Sequence, residues 1–176
     1  MIRSMSVILC VAILVSVQTM PTTAFAESLG PVSEEYPPAA CDPGSYVSSV
    51  KCTGKYCDNM KITCFDLPNA TIGRAQWMPW ISEEGGGMRQ CPANHYIAGF
   101  ACRGKYCDNV SLYCVELKNV EPSRCEFTRF VSEEGGGYLS FFLGDTAGQH
   151  FAAKGMHCTG SYCDNKQFEV CELRQR

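Results

Sequence analysis

The sequence lacks the long apolar runs and the helical periodicity that would place it in a membrane or in a helix bundle. Beyond Val17, no stretch is apolar enough to cross a bilayer. No segment shows a 3.6-residue apolar period bounded by helix caps. These absences predict a protein without membrane insertion whose main elements are strands.

The sequence also lacks an excess of positive charge. It carries 15 Lys and Arg against 18 Asp and Glu. Nucleic acids and anionic membranes select basic surfaces, so neither is an expected partner. The glycine triplets at 85–87 and 135–137 are not followed by the Lys-Ser/Thr of a phosphate loop, and no cofactor is expected.

Residues 1–26 have the pattern of a signal peptide. Arg3 supplies a positive start, Val7 to Val17 is a short apolar stretch, and 24–26 is a small-x-small cleavage site. Cys10 follows Leu9 rather than a small residue, which argues against a lipid anchor. We therefore expect a protein that is exported, and so secreted or periplasmic, with one domain over residues 27–176.

Cysteine is abundant. Of 13 cysteines, 12 remain once Cys10 is removed with the leader. An even number in an exported chain predicts a disulfide framework. The alternative, a metal bound by thiolates, usually shows Cys-x2-Cys pairs, whereas the close pairs here are Cys-x4-Cys. No metal is expected.

A phrase with the consensus Gly-Lys/Ser-Tyr-Cys-Asp-Asn occurs three times, at 54–59, 104–109 and 160–165. It lies within three repeats at about 33–67, 82–117 and 132–173, each of which opens with Ser-Glu-Glu. Units of this size cannot bury a core alone, so they are expected to pack on one another.

Each repeat is expected to centre on a β-hairpin. Residues 46–50 and 60–64 alternate as strands do, and so do 96–100 and 110–114. Between them lie Gly and Asp-Asn, turn formers that can adopt positive φ. The fold class predicted is all-β, a disulfide-rich three-repeat domain resembling a β-trefoil or a β-prism, with a pseudo-threefold arrangement of hairpins.

Comparison of the repeats suggests how the cysteines pair. The economical solution keeps each Cys-x4-Cys pair together and lets Cys125 replace the cysteine that repeat three lacks. Its pairs are Cys52–Cys57, Cys102–Cys107, Cys158–Cys163, Cys41–Cys64, Cys91–Cys114 and Cys125–Cys171. An alternative joins the first cysteine of a repeat to its loop cysteine, and spacing alone leaves both open.

Two other repeated features have structural interpretations. Adjacent glutamates in a strand would point to opposite faces, which makes Ser-Glu-Glu a poor joint site. The glycine triplets predict a loop that passes close to a neighbouring repeat. Large residues recur at a 50-residue spacing and are expected to be equivalent core positions: Trp77, Trp80, Phe127 and Phe130.

The repeated loop is also the leading candidate for a ligand site. An aromatic ring beside a carboxylate and an amide is a combination that binds sugars, and three copies would give avidity. The same residue types also build a tight turn, and both interpretations stay open. The candidate binding residues are Tyr56, Asp58, Asn59, Tyr106, Asp108, Asn109, Tyr162, Asp164 and Asn165.

Signatures of catalysis are weak. The three histidines, His95, His150 and His157, have no counterparts in other repeats, and no cysteine is left over as a nucleophile. Repeat three is longer than the others between Tyr138 and His157, and this interval holds Asp145 and His150. A hydrolase using these two residues is the least expected function, since a surface loop that contacts a protein accounts for them.

These observations predict a secreted, non-enzymatic binding protein that is lectin-like and takes a glycan as its partner. The alternative is a protein-interaction module, such as a secreted inhibitor or a toxin-accessory subunit, that uses the irregular loop of repeat three.

Overall fold

A computed structural model describes residues 26–67, 69–141 and 150–176. The predicted signal peptide lies outside these residues except for Ala26. The described residues form an all-β structure, as predicted, and contain no helix long and apolar enough to span a membrane. The strands are β1 (Ala26–Val32), β2 (Ala39–Ala40), β3 (Ser45–Thr53), β4 (Asn59–Asp66), β5 (Ile72–Trp77), β6 (Met88–Gln90), β7 (His95–Arg103), β8 (Asn109–Leu117), β9 (Val120–Phe127), β10 (Tyr138–Ser140), β11 (His150–Thr159) and β12 (Asn165–Gln175).

The strands form three antiparallel sheets of four strands, one centred on the hairpin of each repeat. Their orders are β1-β4-β3-β10, β5-β8-β7-β2 and β9-β12-β11-β6. The predicted hairpins β3–β4 and β7–β8 are both present. In each sheet an edge strand that precedes Ser-Glu-Glu pairs with the second hairpin strand, so each structural repeat begins earlier than its sequence motif.

The other edge strand of each sheet comes from a different repeat. Strand β2 of repeat one pairs with β7, β6 of repeat two pairs with β11, and β10 of repeat three pairs with β3. This cyclic exchange gives the expected pseudo-threefold arrangement. The three sheets curl as separate half-barrels, which corresponds to the prism-like alternative.

A β-bulge at the same place in each hairpin strengthens the exchange. The N–H of Cys41 donates to the carbonyl of Ala98 in the bulge of β7, at 2.7 Å. The N–H of Phe141 donates in the same way to Ser48 in the bulge of β3, at 2.8 Å. Phe141 therefore occupies the position of the first cysteine of repeats one and two, which explains why repeat three needs Cys125.

The core lies between the three sheets. Equivalent inward positions on β4, β8 and β12 hold Ile62, Leu112 and Phe168, which are at most 1% exposed. Phe168 packs on Phe141, with ring centroids 5.2 Å apart, so the residue that replaces a cysteine fills the core. Burying a side chain of this size contributes about 1.5–3 kcal/mol.

The six disulfides have the pairing of the economical solution. Cys125 on β9 and Cys171 on β12 are direct cross-strand partners. The three Cys-x4-Cys bridges each close a hairpin turn. Such a framework is typical of an oxidising, extracellular environment.

The prediction that four large aromatic residues lie in the core was wrong. Trp77 is 43% exposed, Phe127 53% and Phe130 40%. Trp80 is half-buried beneath the guanidinium of Arg103, which lies 4.2 Å from its ring centroid. Trp77 and Phe127 end the edge strands β5 and β9, so they have a neighbouring strand on one side only and face solvent.

The glycine triplets pass against a neighbouring repeat, as predicted. Gly87 has a φ of +67°, and a Cβ there would collide with the carbonyl oxygen of Cys158. The carbonyl oxygen of Gly87 accepts a hydrogen bond from the N–H of Cys158, with 2.7 Å between nitrogen and oxygen. Gly137 meets Cys52 in the same way. Any side chain at these positions would push two repeats apart.

We expect Gly87→Ala to lower the free energy of unfolding by at least about 2 kcal/mol, because it adds a collision to an unfavourable φ. Gly85→Ala is the matched control, since its Cβ would lie 3.4 Å from the nearest atom, in ordinary contact. Its effect should stay within about 0.5 kcal/mol. Guanidinium unfolding with the disulfides intact measures both. Equal effects of the two substitutions would contradict the proposed packing.

Candidate functional site

The three hairpin turns meet at one end of the molecule. Their tyrosines, Tyr56, Tyr106 and Tyr162, form a tyrosine triad in which the ring centroids lie 5.1, 5.1 and 5.2 Å apart. All three rings are half-buried. The structure therefore joins the repeated loops into one composite face, whereas the sequence suggested three separate sites.

Each turn has an unusual backbone. In repeat one, Tyr56 and Cys57 have φ of 60° and 56°, and the N–H of Asp58 donates to the carbonyl of Lys55 at 3.3 Å. These are the features of a type I′ turn, which normally places Asn and Gly at the two central positions. The other turns repeat this geometry. Each such residue costs on the order of 1–3 kcal/mol, so other contacts must hold it.

The sequence placed positive φ at Gly and Asp-Asn, and the structure corrects the second part. Gly54 does have a positive φ, of 76°, but Asp58 is in the right-handed region. Positive φ falls instead on the tyrosine and the cysteine. The disulfide explains this exception, because it fixes Cys57 to Cys52 across the turn.

The Asp-Asn pairs contribute to the turns. The side-chain amide of each Asn donates to Oδ1 of the preceding Asp, at 2.6, 2.7 and 2.6 Å. In repeat one the same oxygen lies against Gly54, where a Cβ would collide with it. The other carboxylate oxygen of each aspartate, Oδ2, takes no part in this hydrogen bond. Binding of a ligand by the Asp-Asn pairs stays a prediction.

A glutamate from one repeat binds the turn of the next. We name Glu34, Glu83 and Glu133 the clamp glutamates. Tyr106 N–H donates to Glu34 at 3.2 Å, Tyr162 N–H donates to Glu83 at 3.1 Å, and Cys57 N–H donates to Glu133. Successive N–H groups of such a turn form a concavity that favours an anion. The protein supplies that anion from its own chain.

The clamp gives Ser-Glu-Glu its role. The phrase lies in a turn rather than in a strand, so the strand argument against it does not apply. The serine hydroxyl accepts a backbone N–H within the turn, for example Ser82 from Gly85 at 3.2 Å. Glu83 is thereby aimed at repeat three, while Glu84 is exposed.

Two lysines border the tyrosine triad. The Nζ of Lys55 lies 5.0 Å from the ring centroid of Tyr56 and 5.7 Å from that of Tyr106. The Nζ of Lys105 lies 5.2 Å from the centroid of Tyr106 and 5.9 Å from that of Tyr162. These are cation–π distances. The equivalent position in repeat three is Ser161, which is exposed.

A third lysine lies beneath the turns. Lys166 is fully buried, at the position that holds Met60 and Val110 in the other repeats. Its Nζ donates to the carbonyls of Cys163 at 2.6 Å and of Cys57 at 3.4 Å. Burial lowers the pKa of Lys166 to about 8, although Asp164 and other carboxylates oppose this shift.

Sequence reasoning missed the lysines and the clamp glutamates as parts of this site. Signals for the lysines were present as breaks in symmetry. Ser161 stands where the other repeats have lysine, and Lys166 stands where they have Met60 and Val110. The repeated Ser-Glu-Glu phrase marked the glutamates, but nothing in the sequence indicated that each one binds the turn of another repeat.

A hydrolase site at Asp145 and His150 stays a prediction, and the described residues locate only the three histidines. His95 lies on β7 and its Nδ1 is 2.8 Å from the carbonyl of Ala93, whereas His157 lies on β11 beside Phe130. His150 packs on Phe65, and burial lowers its pKa. Asp145 and the rest of 142–149 lie outside the described residues.

Two clusters of potential metal ligands sit beside the face. Each joins a clamp glutamate to the two cysteines of a turn: Glu34 with Cys102 and Cys107, and Glu83 with Cys158 and Cys163. These cysteines are disulfide-bonded. Cysteine binds a metal as a free thiolate, so the disulfide leaves the glutamate as the one available ligand of each cluster.

The fold and the face define a disulfide-rich all-β protein of three interlocked repeats. Comparisons with protein-family models, curated proteins and solved structures found no match to this chain.

We expect Glu83→Ala to destabilise the protein by about 1.5–3 kcal/mol, the usual contribution of a hydrogen bond to a charged group. Glu84→Ala is the matched control, because Glu84 is exposed, and its effect should be within about 0.5 kcal/mol. Denaturant unfolding measures both, and amide exchange of Tyr162 should accelerate only in Glu83→Ala. An unchanged Tyr162 exchange rate would show that the clamp does not hold the turn.

Lys166 should make stability depend on pH. Above about pH 8 the folded protein releases a proton that the unfolded chain still holds, so the free energy of unfolding should rise with pH. Between pH 8 and 9.5 the rise is expected to be about 1.5 kcal/mol, because folded Lys166 is half protonated at the start of the window, and Lys166→Met should abolish it. Tyr46 and Tyr96 act in the opposite direction, mainly above this window, because the unfolded chain ionises near the ordinary tyrosine pKa of 10.0 while burial raises the pKa of both in the folded protein. Urea unfolding at several pH values measures this, and parallel curves for the two proteins would refute it.

Proposed function

We propose that the protein is a non-enzymatic, lectin-like binding protein that takes a glycan on the tyrosine triad. The observation that carries this proposal is the meeting of three half-buried rings on one face, with centroids 5.1–5.2 Å apart. Sugar rings present C–H faces that pack on aromatic rings. Three adjoining rings offer a larger apolar surface for this than one loop could.

Polar groups at the face suit the same ligand. Lys55 and Lys105 border the rings and carry ammonium donors, which can donate hydrogen bonds to sugar hydroxyls. The aspartates of the turns add acceptors at the same end of the molecule. Aromatic and polar groups on one face are what sugar recognition requires.

The face is also preorganised. Each tyrosine is held in a turn closed by a disulfide, such as Cys102–Cys107, and bound by a clamp glutamate. A rigid site loses little conformational entropy when a ligand binds, which favours affinity for weakly held sugars. Because the rings adjoin, we expect one glycan per protein rather than three.

The proposed function also includes export of the protein from the cytoplasm. Six disulfides suit an oxidising compartment, and a leader at 1–26 would deliver the chain there. We infer a secreted or periplasmic protein.

A protein-interaction module is the second candidate. The irregular loop that the sequence suggested for it, Gly144 to Gly148, lies outside the described residues. A different feature favours it: Met88 on β6 (39% exposed) pairs with His157 in the third sheet, and Phe130 (40% exposed), which follows β9, packs on the His157 ring. Exposed apolar clusters of this kind mark protein contacts.

Tyr106→Ala should weaken glycan binding by about five- to 150-fold, because a ligand ring that loses its aromatic stacking partner loses about 1–3 kcal/mol. Tyr106→Phe should keep most of the affinity, since it keeps the ring. Trp77→Ala is the control, because it removes an exposed ring on β5 outside the triad. A glycan array followed by calorimetry measures all three. No binding by the wild-type protein at high concentration, or a loss only in Trp77→Ala, would overturn the proposal.

A further inference from the structure

The pseudo-threefold symmetry defines three positions for a cation over the tyrosine triad. Lys55 spans the rings of Tyr56 and Tyr106, and Lys105 spans those of Tyr106 and Tyr162. By the same rotation, residue 161 would span Tyr162 and Tyr56. We name that position the third seat.

In the described part of the chain, the third seat has its two rings but no lysine that spans both; Lys166 lies buried beneath the turns that carry these rings, with its Nζ hydrogen-bonded to the carbonyls of Cys57 and Cys163. Ser161 carries a short hydroxymethyl group and cannot reach over the rings as a lysine does. Among the described residues, Tyr106 is in contact with two lysines, whereas Tyr56 and Tyr162 have one each. Both rings of the seat are half-buried rather than enclosed, and Ser161 beside them is exposed. A ligand can approach from solvent.

The charge at this end of the molecule favours a cation. The turns contribute three aspartates, at 58, 108 and 164, and the clamp adds three glutamates. Three lysines oppose them, at 55, 105 and 166. With Arg103, which directly precedes the second turn, the cations are four against six carboxylates, and Asp164 belongs to the same turn as Ser161. An excess of negative charge around the third seat attracts a positively charged ligand group.

We propose that the third seat binds an organic ammonium group, held by cation–π contact with Tyr56 and Tyr162. This inference rests on the proposed function, and it names the glycan class as sugars that carry a free amine. Two lysines of the same chain already make this contact in the other seats, so the geometry suits an ammonium. An N-acetylated sugar has no charge to place there.

Choline and its neutral isostere 3,3-dimethylbutan-1-ol provide a probe that is independent of sugar. Titration followed by NMR should show choline shifting the ring signals of Tyr56 and Tyr162, with at least tenfold weaker binding of the isostere. Glucosamine oligomers should likewise bind at least tenfold more tightly than N-acetylglucosamine oligomers. A lysine-rich peptide is the third arm, because a protein could present the same ammonium group.

Variants at one position of the repeat test the seat itself. Ser161→Lys installs the residue that the other two repeats carry, so the fold should tolerate it, and choline binding should fall at least tenfold. Ser161→Thr is the matched control and should bind as the wild type does. Lys105→Ser should open a second seat and raise the choline stoichiometry from one to two.

The outcomes separate this inference from the proposed function. Equal binding of choline and its isostere, or unchanged binding by Ser161→Lys, would overturn the seat. Glycan binding on the triad without a preference for free amines would also overturn it, while the lectin-like function would stand. Choline binding that Ser161→Lys abolishes, without any glycan binding, would support the seat and overturn the glycan; the peptide arm would then identify the source of the ammonium.

Discussion

The structure depends on a carboxylate from one repeat that binds the backbone of the next. A type I′ turn made of Tyr and Cys is unfavourable by itself, since both residues adopt positive φ. The disulfide ties one of them to β3, β7 or β11, and the clamp glutamate satisfies the exposed N–H groups. Because the clamp crosses from repeat to repeat, no turn reaches its final form without its neighbour. The tyrosine triad is therefore a product of assembly and not of any one repeat.

Symmetry also dictates where the repeats must differ. Residues near the pseudo-threefold axis meet their own counterparts, so a charge tolerated once would be repelled if written three times. Lys166 is such a case: its ammonium donates hydrogen bonds to two backbone carbonyls, and the equivalent positions in the other repeats hold Met60 and Val110. Ser161 is the opposite case, in which a charge present twice is omitted once. Both residues lie in repeat three, beside its hairpin turn. The sequence differences between the repeats that affect charge near the axis are therefore found in that one repeat.

The sequence was sufficient for whatever is local and was insufficient for whatever crosses between repeats. Hairpin strands could be predicted from alternation within a short stretch of chain. Constant cysteine spacing suggested the disulfide pairing that the structure has, but it left a second connectivity open, and the Cys125–Cys171 bridge joins residues 46 apart. Edge strands such as β1 and β5 were missed, since strands exposed at a sheet edge need not alternate. The spacing that identified Ser-Glu-Glu could not tell whether Glu34 would reach its own turn or that of Tyr106. That choice is set by the order of strands around the axis.

The number of ligands that the proposed glycan site could hold follows from the same order of strands. Three loops at the outer corners of a prism would hold three ligands independently, and affinity would come from linked binding. Loops whose rings are 5.1–5.2 Å apart cannot do this, because a sugar ring laid on one tyrosine covers its neighbours. In the function proposed above, affinity would come from the fit of one ligand to a fixed surface. Such a surface cannot be fully symmetric if it is to orient an asymmetric ligand, and the replacement of one lysine by Ser161 gives it a direction.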